Sequence, residues 1–198
     1  SLCEQRYHGV VKCALGWACW KTYVGLLEAD LARRMAMNVL GLGLSDAGYY
    51  EDALPVQEAE LSMKLRLGAS ANDILATQGN LAGTYRLLGR YEQALQMKRD
   101  VYIGYSKLHG EEHEETLRAA YNYAHTLLIL QRFEDAKALL RKTILVARRV
   151  LGEPNILTLE MRQIYARALC ENPAATLDDL REAVTTLEDV ERTARRVL

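Results

Sequence analysis

Apolar side chains in this chain recur three and four positions apart rather than two. Leu117, Ala120, Ala124, Leu127 and Leu128 draw one such stripe, and Phe133, Ala136, Leu139, Leu140, Ile144 and Ala147 draw the next. That spacing keeps side chains on one face of a helix, so two helices with a short break at Gln131 are predicted here. The pair recurs. Gly68, Gly110 and Gly152 stand 42 residues apart, as do Asn38, Asn80 and Asn122. The segments GYYEDAL (48–54), GRYEQAL (89–95) and QRFEDAK (131–137) mark the same unit in a third register. A fixed period of this length is the mark of stacked helical hairpins. The pattern predicts an all-α array with units near 26–68, 69–110, 111–152 and 153–198. The inner break of each unit falls around Gly48, Gly89 or Gln131, and the outer break is a Gly-led loop suited to a left-handed helix stop.

Some stretches depart from the rule. Gly41, Gly43 and Pro55 weaken the first unit's helices, which predicts a bent or loose hairpin. In the fourth unit ENPAAT (171–176) lengthens the turn, and the second helix is expected to start near Thr176, capped by Thr176 or Asp178. Residues 1–25 match no unit well and are read as an irregular segment or a lone helix. Arg196-Val197-Leu198 mirrors the run ahead of Gly152, which reads as a piece of a longer protein with another unit to follow.

Composition narrows the function classes. Lys+Arg 25 against Asp+Glu 26 gives a formal charge of −1, leaving no basic field for a nucleic-acid backbone. Cys3, Cys13, Cys19 and Cys170 have no disulfide-framework spacing, which fits a reducing, cytoplasmic setting. The apolar run 13–20 is short for a signal-peptide core and follows no initiator Met. No stretch approaches the ~20 apolar residues of a membrane span.

The residues Leu81, Ala82, Tyr85, Gly89, Tyr91 and Ala94 fall at the spacing of apolar, small, aromatic, Gly, aromatic and Ala that resembles the tetratricopeptide repeat (TPR). Tyr123, Ala124, Leu127, Phe133 and Ala136 answer one unit later. The 42-residue unit, longer than the usual ~34, Asn80 to Ala82, the run Tyr50, Glu51, Ala53, Pro55, and the loop GEEHEETL resemble repeats of the kinesin-light-chain type over about residues 26–198. The resemblance implies a right-handed α-solenoid of TPR-type repeats, and a non-enzymatic module that binds proteins along the groove lined by its first helices.

In that groove the first helix of the third unit presents Arg118, Tyr121, Asn122 and His125. The 42-residue shift gives Arg34, Met37, Asn38 and Gly41 in the first unit, Ala76, Gly79, Asn80 and Gly83 in the second, and Glu160, Gln163, Ile164 and Arg167 in the fourth. An Asn amide offers both a donor and an acceptor to an extended main chain, and the resemblance gives Asn38, Asn80 and Asn122 that use; bonding between neighbouring helices is the alternative. Gly79 and Gly83 leave either a pocket or a tight packing contact. Arg34, Arg118 and Arg167 against Glu160 favour a partly acidic protein or peptide ligand. A structural or regulatory scaffold arm that self-associates into homo-oligomers is the second functional reading. A carboxylate-clamp adaptor is disfavoured, because its cationic and Asn positions are here Gly41, Gly83 and His125.

Other motifs carry less. His109-Gly110-Glu111-Glu112-His113 reads H-x-x-E-H, but metal-binding histidines must share a helix face, and Gly110 is the loop glycine. GLGLSDAG (41–48) lacks the order of a phosphate-binding loop. Cys13 and Cys19 have no metal-site spacing, and no Ser or Cys stands beside His125 to be activated. No cofactor, metal or catalytic residue is expected, and neither nucleic acid nor membrane is an expected partner.

Overall fold

The computed structural model describes residues 2–196, with side chains from residue 9 onward. The side chain of Cys3 and the terminal Val197 and Leu198 lie outside the described residues. Nine helices and no strand occur among the described residues: α1 (Leu2–Tyr23), α2 (Leu31–Ala47), α3 (Tyr50–Arg66), α4 (Ala71–Leu87), α5 (Tyr91–His109), α6 (Glu114–Ile129), α7 (Phe133–Val150), α8 (Ile156–Cys170) and α9 (Leu177–Arg195). They form two units, Ser1–Met97 and Lys98–Leu198.

The repeating glycines are where the backbone turns left-handed. Gly48, Gly68, Gly89, Gly110 and Gly152 all have positive φ, between 64° and 92°. At Gly89 the amide reaches back to the Arg86 carbonyl at 3.1 Å, and the next amide reaches the Tyr85 carbonyl at 2.8 Å, closing the helix end that glycine permits without a Cβ penalty. One unit later the position belongs to Gln131, held at φ 57°. A non-glycine residue there carries a cost of about 1 kcal/mol or more, part of it offset by the smaller freedom of its unfolded chain. Gln131→Gly is therefore expected to raise stability by about 0.5–1 kcal/mol, read as a higher urea midpoint.

In the first unit α2 and α3 run unbroken despite Gly41, Gly43 and Pro55, because the two glycines are used for close packing. A Cβ on Gly41 would lie 3.1 Å from Cγ of Gln57, and Gln57 is buried, donating to the Gly41 carbonyl and accepting from Thr84 at 2.7 Å. A Cβ on Gly43 would stand 2.5 Å from the backbone nitrogen of Cys13 in α1. Leu54, Leu81, Tyr85 and Ala94 form the buried cluster between α3, α4 and the start of α5. The N-terminal segment is the single helix α1, packed on α2.

In the second unit α6, α7, α8 and α9 pack in chain order, and α6 also touches α8. The core includes Leu117, Leu127, Leu140, Met161 and Leu169, all nearly or fully buried. The longer turn before α9 ends in a capping box. Thr176 accepts the Asp179 amide at 3.1 Å, and the Asp179 carboxylate accepts both the Thr176 amide and its hydroxyl. Asp179, rather than Asp178, closes the cap.

Asp179 also meets Lys137 of α7 at 3.1 Å. The Thr176 hydroxyl and amide, followed by Lys137, hold the Asp179 carboxyl well below the usual carboxylate range. A group whose folded pKa is depressed adds stability above its unfolded value of about 4, and loses it as pH falls through the folded value. Urea midpoints of the wild type should therefore fall steadily below about pH 4, and Asp179→Asn should flatten that slope.

Candidate functional site

The first unit holds a cleft between α2 and α4, the first helices of two successive repeats. Its volume is about 430 Å³. Leu31, Met35, Val39 and Leu42 form an apolar wall, and Arg34, Asn38, Lys64, Asp73, Thr77 and Asn80 supply the polar groups.

Beneath it lies a buried polar chain that begins on a second helix. Glu60 of α3 is 2% exposed and ion-pairs with Lys64 one turn on, Oε1 to Nζ 2.7 Å. The same carboxylate oxygen accepts from the Asn38 amide nitrogen at 3.0 Å. Lys64 donates to the Thr77 hydroxyl at 2.7 Å, and that hydroxyl donates to the Asp73 carbonyl at 2.9 Å. The network links α2, α3 and α4 and sets the orientation of the Asn38 carboxamide, with its donor engaged inward. Beside it the Arg34 Nε is buried with no hydrogen-bond partner. An unsatisfied buried donor costs about 1–3 kcal/mol, and Arg34 lines the open cleft.

Along α4, Asn80 is exposed on the cleft, and a Cβ added at Gly79 or Gly83 would meet nothing within 4 Å. Those glycines leave open space. Two residues of the expected stripe on α2 sit differently: Gly41 is buried against Gln57, and Met37 is half-buried and does not line the cleft, whereas Met35, Val39 and Leu42 do.

In the second unit the Tyr121 and His125 rings stack at 6.3 Å on α6, half-buried. Asn122 on the same helix is half-buried, and its backbone carbonyl accepts from the Thr126 hydroxyl at 3.0 Å. Arg118 is exposed and ion-paired with Glu114 one turn back. On α8 Gln163 is exposed, and Arg167 pairs with Glu171 at 2.8 Å. Ile164 of the same expected stripe is 5% exposed and belongs to the core. Arg118 and Arg167 thus already have acidic neighbours on their own helices or at their ends, whereas Arg34 keeps an unspent donor. Glu60 and Lys64 were missed by following the first helices alone, and Thr77 because the stripe followed on α4 was Ala76, Gly79, Asn80 and Gly83. Their signal was a polar Gln57, Glu60, Lys64 series at helical spacing on α3, continuing the stripe of buried Ala53.

The His109 and His113 rings stack with centroids 4.3 Å apart, and His113 Nδ1 accepts the Glu115 amide as the N-cap of α6. That nitrogen serves the helix start. No group of three or more His, Cys, Asp or Glu among the described residues could hold a metal ion. Among the same residues no helix is long and apolar enough to cross a membrane.

Residues 73–149 match the family model of the tetratricopeptide repeat. Over that stretch the chain is similar to tetratricopeptide repeats. The fold is that of kinesin-light-chain-type TPR structures. Two crystal structures of the nearly identical TPR-like repeats of a Podosopora anserina protein described as a kinesin light chain superpose with TM-scores of 0.78 and 0.76. Each is 18% identical over 99% of this chain and 95% or 96% of its own. BtubC (BKLC) from P. vanneervenii superposes with a TM-score of 0.71 at 14% identity, over 99% of this chain and 74% of its own. No curated protein is similar enough in sequence to match. The TPR fold is in general a protein–protein interaction module, and the all-α solenoid class read from the 42-residue period is the class of these structures.

Proposed function

We propose that the chain is a non-enzymatic module that holds an extended, partly acidic segment of a protein partner along the first-helix faces of its repeats. In the first unit the Asn38 carbonyl oxygen and the Asn80 carboxamide bond the ligand main chain, Arg34 takes an acidic side chain, and Leu31, Met35 and Val39 cover an apolar neighbour. In the second, Asn122 repeats the main-chain role, flanked by Arg118, Tyr121, His125, Gln163 and Arg167. Main-chain bonds from fixed amides with pockets for side chains are the division of labour that linear motifs need. The observation that carries this reading is the open cleft beside a buried Arg34 Nε with no partner. The free thiols of Cys13, Cys19 and Cys170 support a reducing, cytoplasmic setting.

The test is selection from a random peptide display library on the intact chain, followed by affinities of the enriched peptides. The expected consensus contains an acidic residue. Arg34→Ala should weaken binding about 10- to 100-fold, the worth of a hydrogen bond to a charged group. Asn80→Ala combined with Asn122→Ala should abolish capture while the thermal melt stays in place. Affinities unaltered by these changes would refute groove binding.

A further inference from the structure

The cleft between α2 and α4 holds two charges that have no counter-ion. Arg34 lines the α2 wall and Asp73 the α4 wall. The Arg34 Nε is buried with no hydrogen-bond partner. The Asp73 carboxylate accepts the Ser70 hydroxyl through Oδ2 at 2.7 Å, and among the described residues neither side chain enters an ion pair. Lys64, the other cation at the cleft, is already matched by Glu60 at 2.7 Å. One cation and one anion are therefore left to a ligand, and the cleft as a whole is electrically balanced.

Register keeps the two from meeting. The 42-residue shift carries Arg34 onto Ala76, and Asp73 lies three residues nearer the start of α4, about 4.5 Å along its axis at the usual helical rise. Packed helices stand about 8–10 Å apart, which sets the two positions roughly 9–11 Å from one another. A polypeptide extended at about 3.3 Å per residue covers that span in about three residues. An acidic side chain seated on Arg34 thus brings a residue about three positions along the ligand beside Asp73. A second acid there would be repelled and a basic side chain paired, so the α4 wall discriminates against uniformly acidic segments.

We propose, on the reading of this cleft as a peptide site, that Asp73 is a specificity-determining residue and that the segment held here is dipolar, with a Lys or Arg about three positions from the acid that Arg34 takes. Arg34 sets the requirement for an acid, and Asp73 adds the requirement for a base. An acid near the start of a helix also suits the helix dipole, but a role confined to α4 would alter stability without distinguishing one peptide from another.

The test is a double-mutant cycle on peptides enriched from a random display library by the intact wild-type chain, each measured with its base present and with that base changed to Ala. The enriched peptides are expected to carry an acid and a base about three positions apart. Asp73→Asn should weaken the base-containing peptides about three- to fivefold and leave their Ala counterparts unchanged, with the circular dichroism and thermal melt of the wild type. Asp73→Lys should weaken them by about tenfold or more and recover binding to peptides whose base is changed to Glu. Enriched peptides with an acid and no base would overturn the role of Asp73, as would an Asp73→Asn effect equal for both peptide forms or absent from both. Groove binding would survive those outcomes, because Arg34→Ala would still weaken capture. No enrichment, or capture indifferent to Arg34→Ala, would overturn both.

Discussion

Glu60→Leu is expected to cost the first unit about 3–5 kcal/mol, the usual effect of leaving one partner of a buried ion pair alone. Glu60 is 2% exposed and the Lys64 side chain 16%, so removing the carboxylate strands an ammonium whose remaining neighbour is the Thr77 hydroxyl at 2.7 Å. Asn38 loses its inward acceptor at the same time. Because Lys64 retains some contact with water, the lower end of the range is the better expectation. Glu60→Leu combined with Lys64→Met should recover most of the loss, since apolar replacement of both partners is often neutral or stabilising. The double variant separates stability from recognition: with the urea midpoint restored, peptide affinity should stay depressed because Asn38 is no longer oriented. A single-variant cost under about 1 kcal/mol would mean the pair is effectively solvated and does not organise the cleft.

The period was legible because its markers answer to backbone geometry. A left-handed helix stop admits few residues besides glycine, so Gly68, Gly110 and Gly152 recur in the loops that follow α3, α5 and α7, and Asn155 and Thr176 stand where a helix start needs an acceptor. The cleft was only half legible. Arg34, Asn38 and Asn80 could be placed by shifting one helix face through 42 residues, but its floor comes from Glu60 and Lys64 on a second helix, whose inward face would be expected to be apolar. Ile164 was misplaced for the converse reason. A uniform shift assumes equal helix rotation in every unit, yet α8 turns Ile164 into the core and leaves Gln163 exposed. The tight seat of α1 was not legible, because an isolated Gly in a helical run reads as weakness until the neighbouring backbone is seen.

That seat leads to the second large effect. Gly43→Ala should release α1 from α2, because the new Cβ would lie 2.5 Å from the Cys13 nitrogen and 2.6 Å from the Lys12 carbonyl carbon. Both are backbone atoms in the middle of a helix, so no side-chain rotation relieves the clash and the helices must move apart. Gly9 and Gly16 sit in equally close contacts along the same seam, so separation at Gly43 loosens the whole contact. Overpacking of this kind costs about 1–3 kcal/mol, occasionally more. Among the described residues, the polar contacts of α1 with α2 include the Lys12 to Asp46 ion pair at 2.8 Å, exposed on both sides, a kind that contributes about 0–1 kcal/mol, and Arg33 over the Trp20 ring. Hydrogen exchange should therefore show lost protection across α1 while the α3 and α4 amides keep theirs. Gly79→Ala, made where a Cβ meets nothing, is the control and should leave α1 protected. Protection of α1 undiminished in the Gly43 variant would show that the two helices do not approach backbone to backbone.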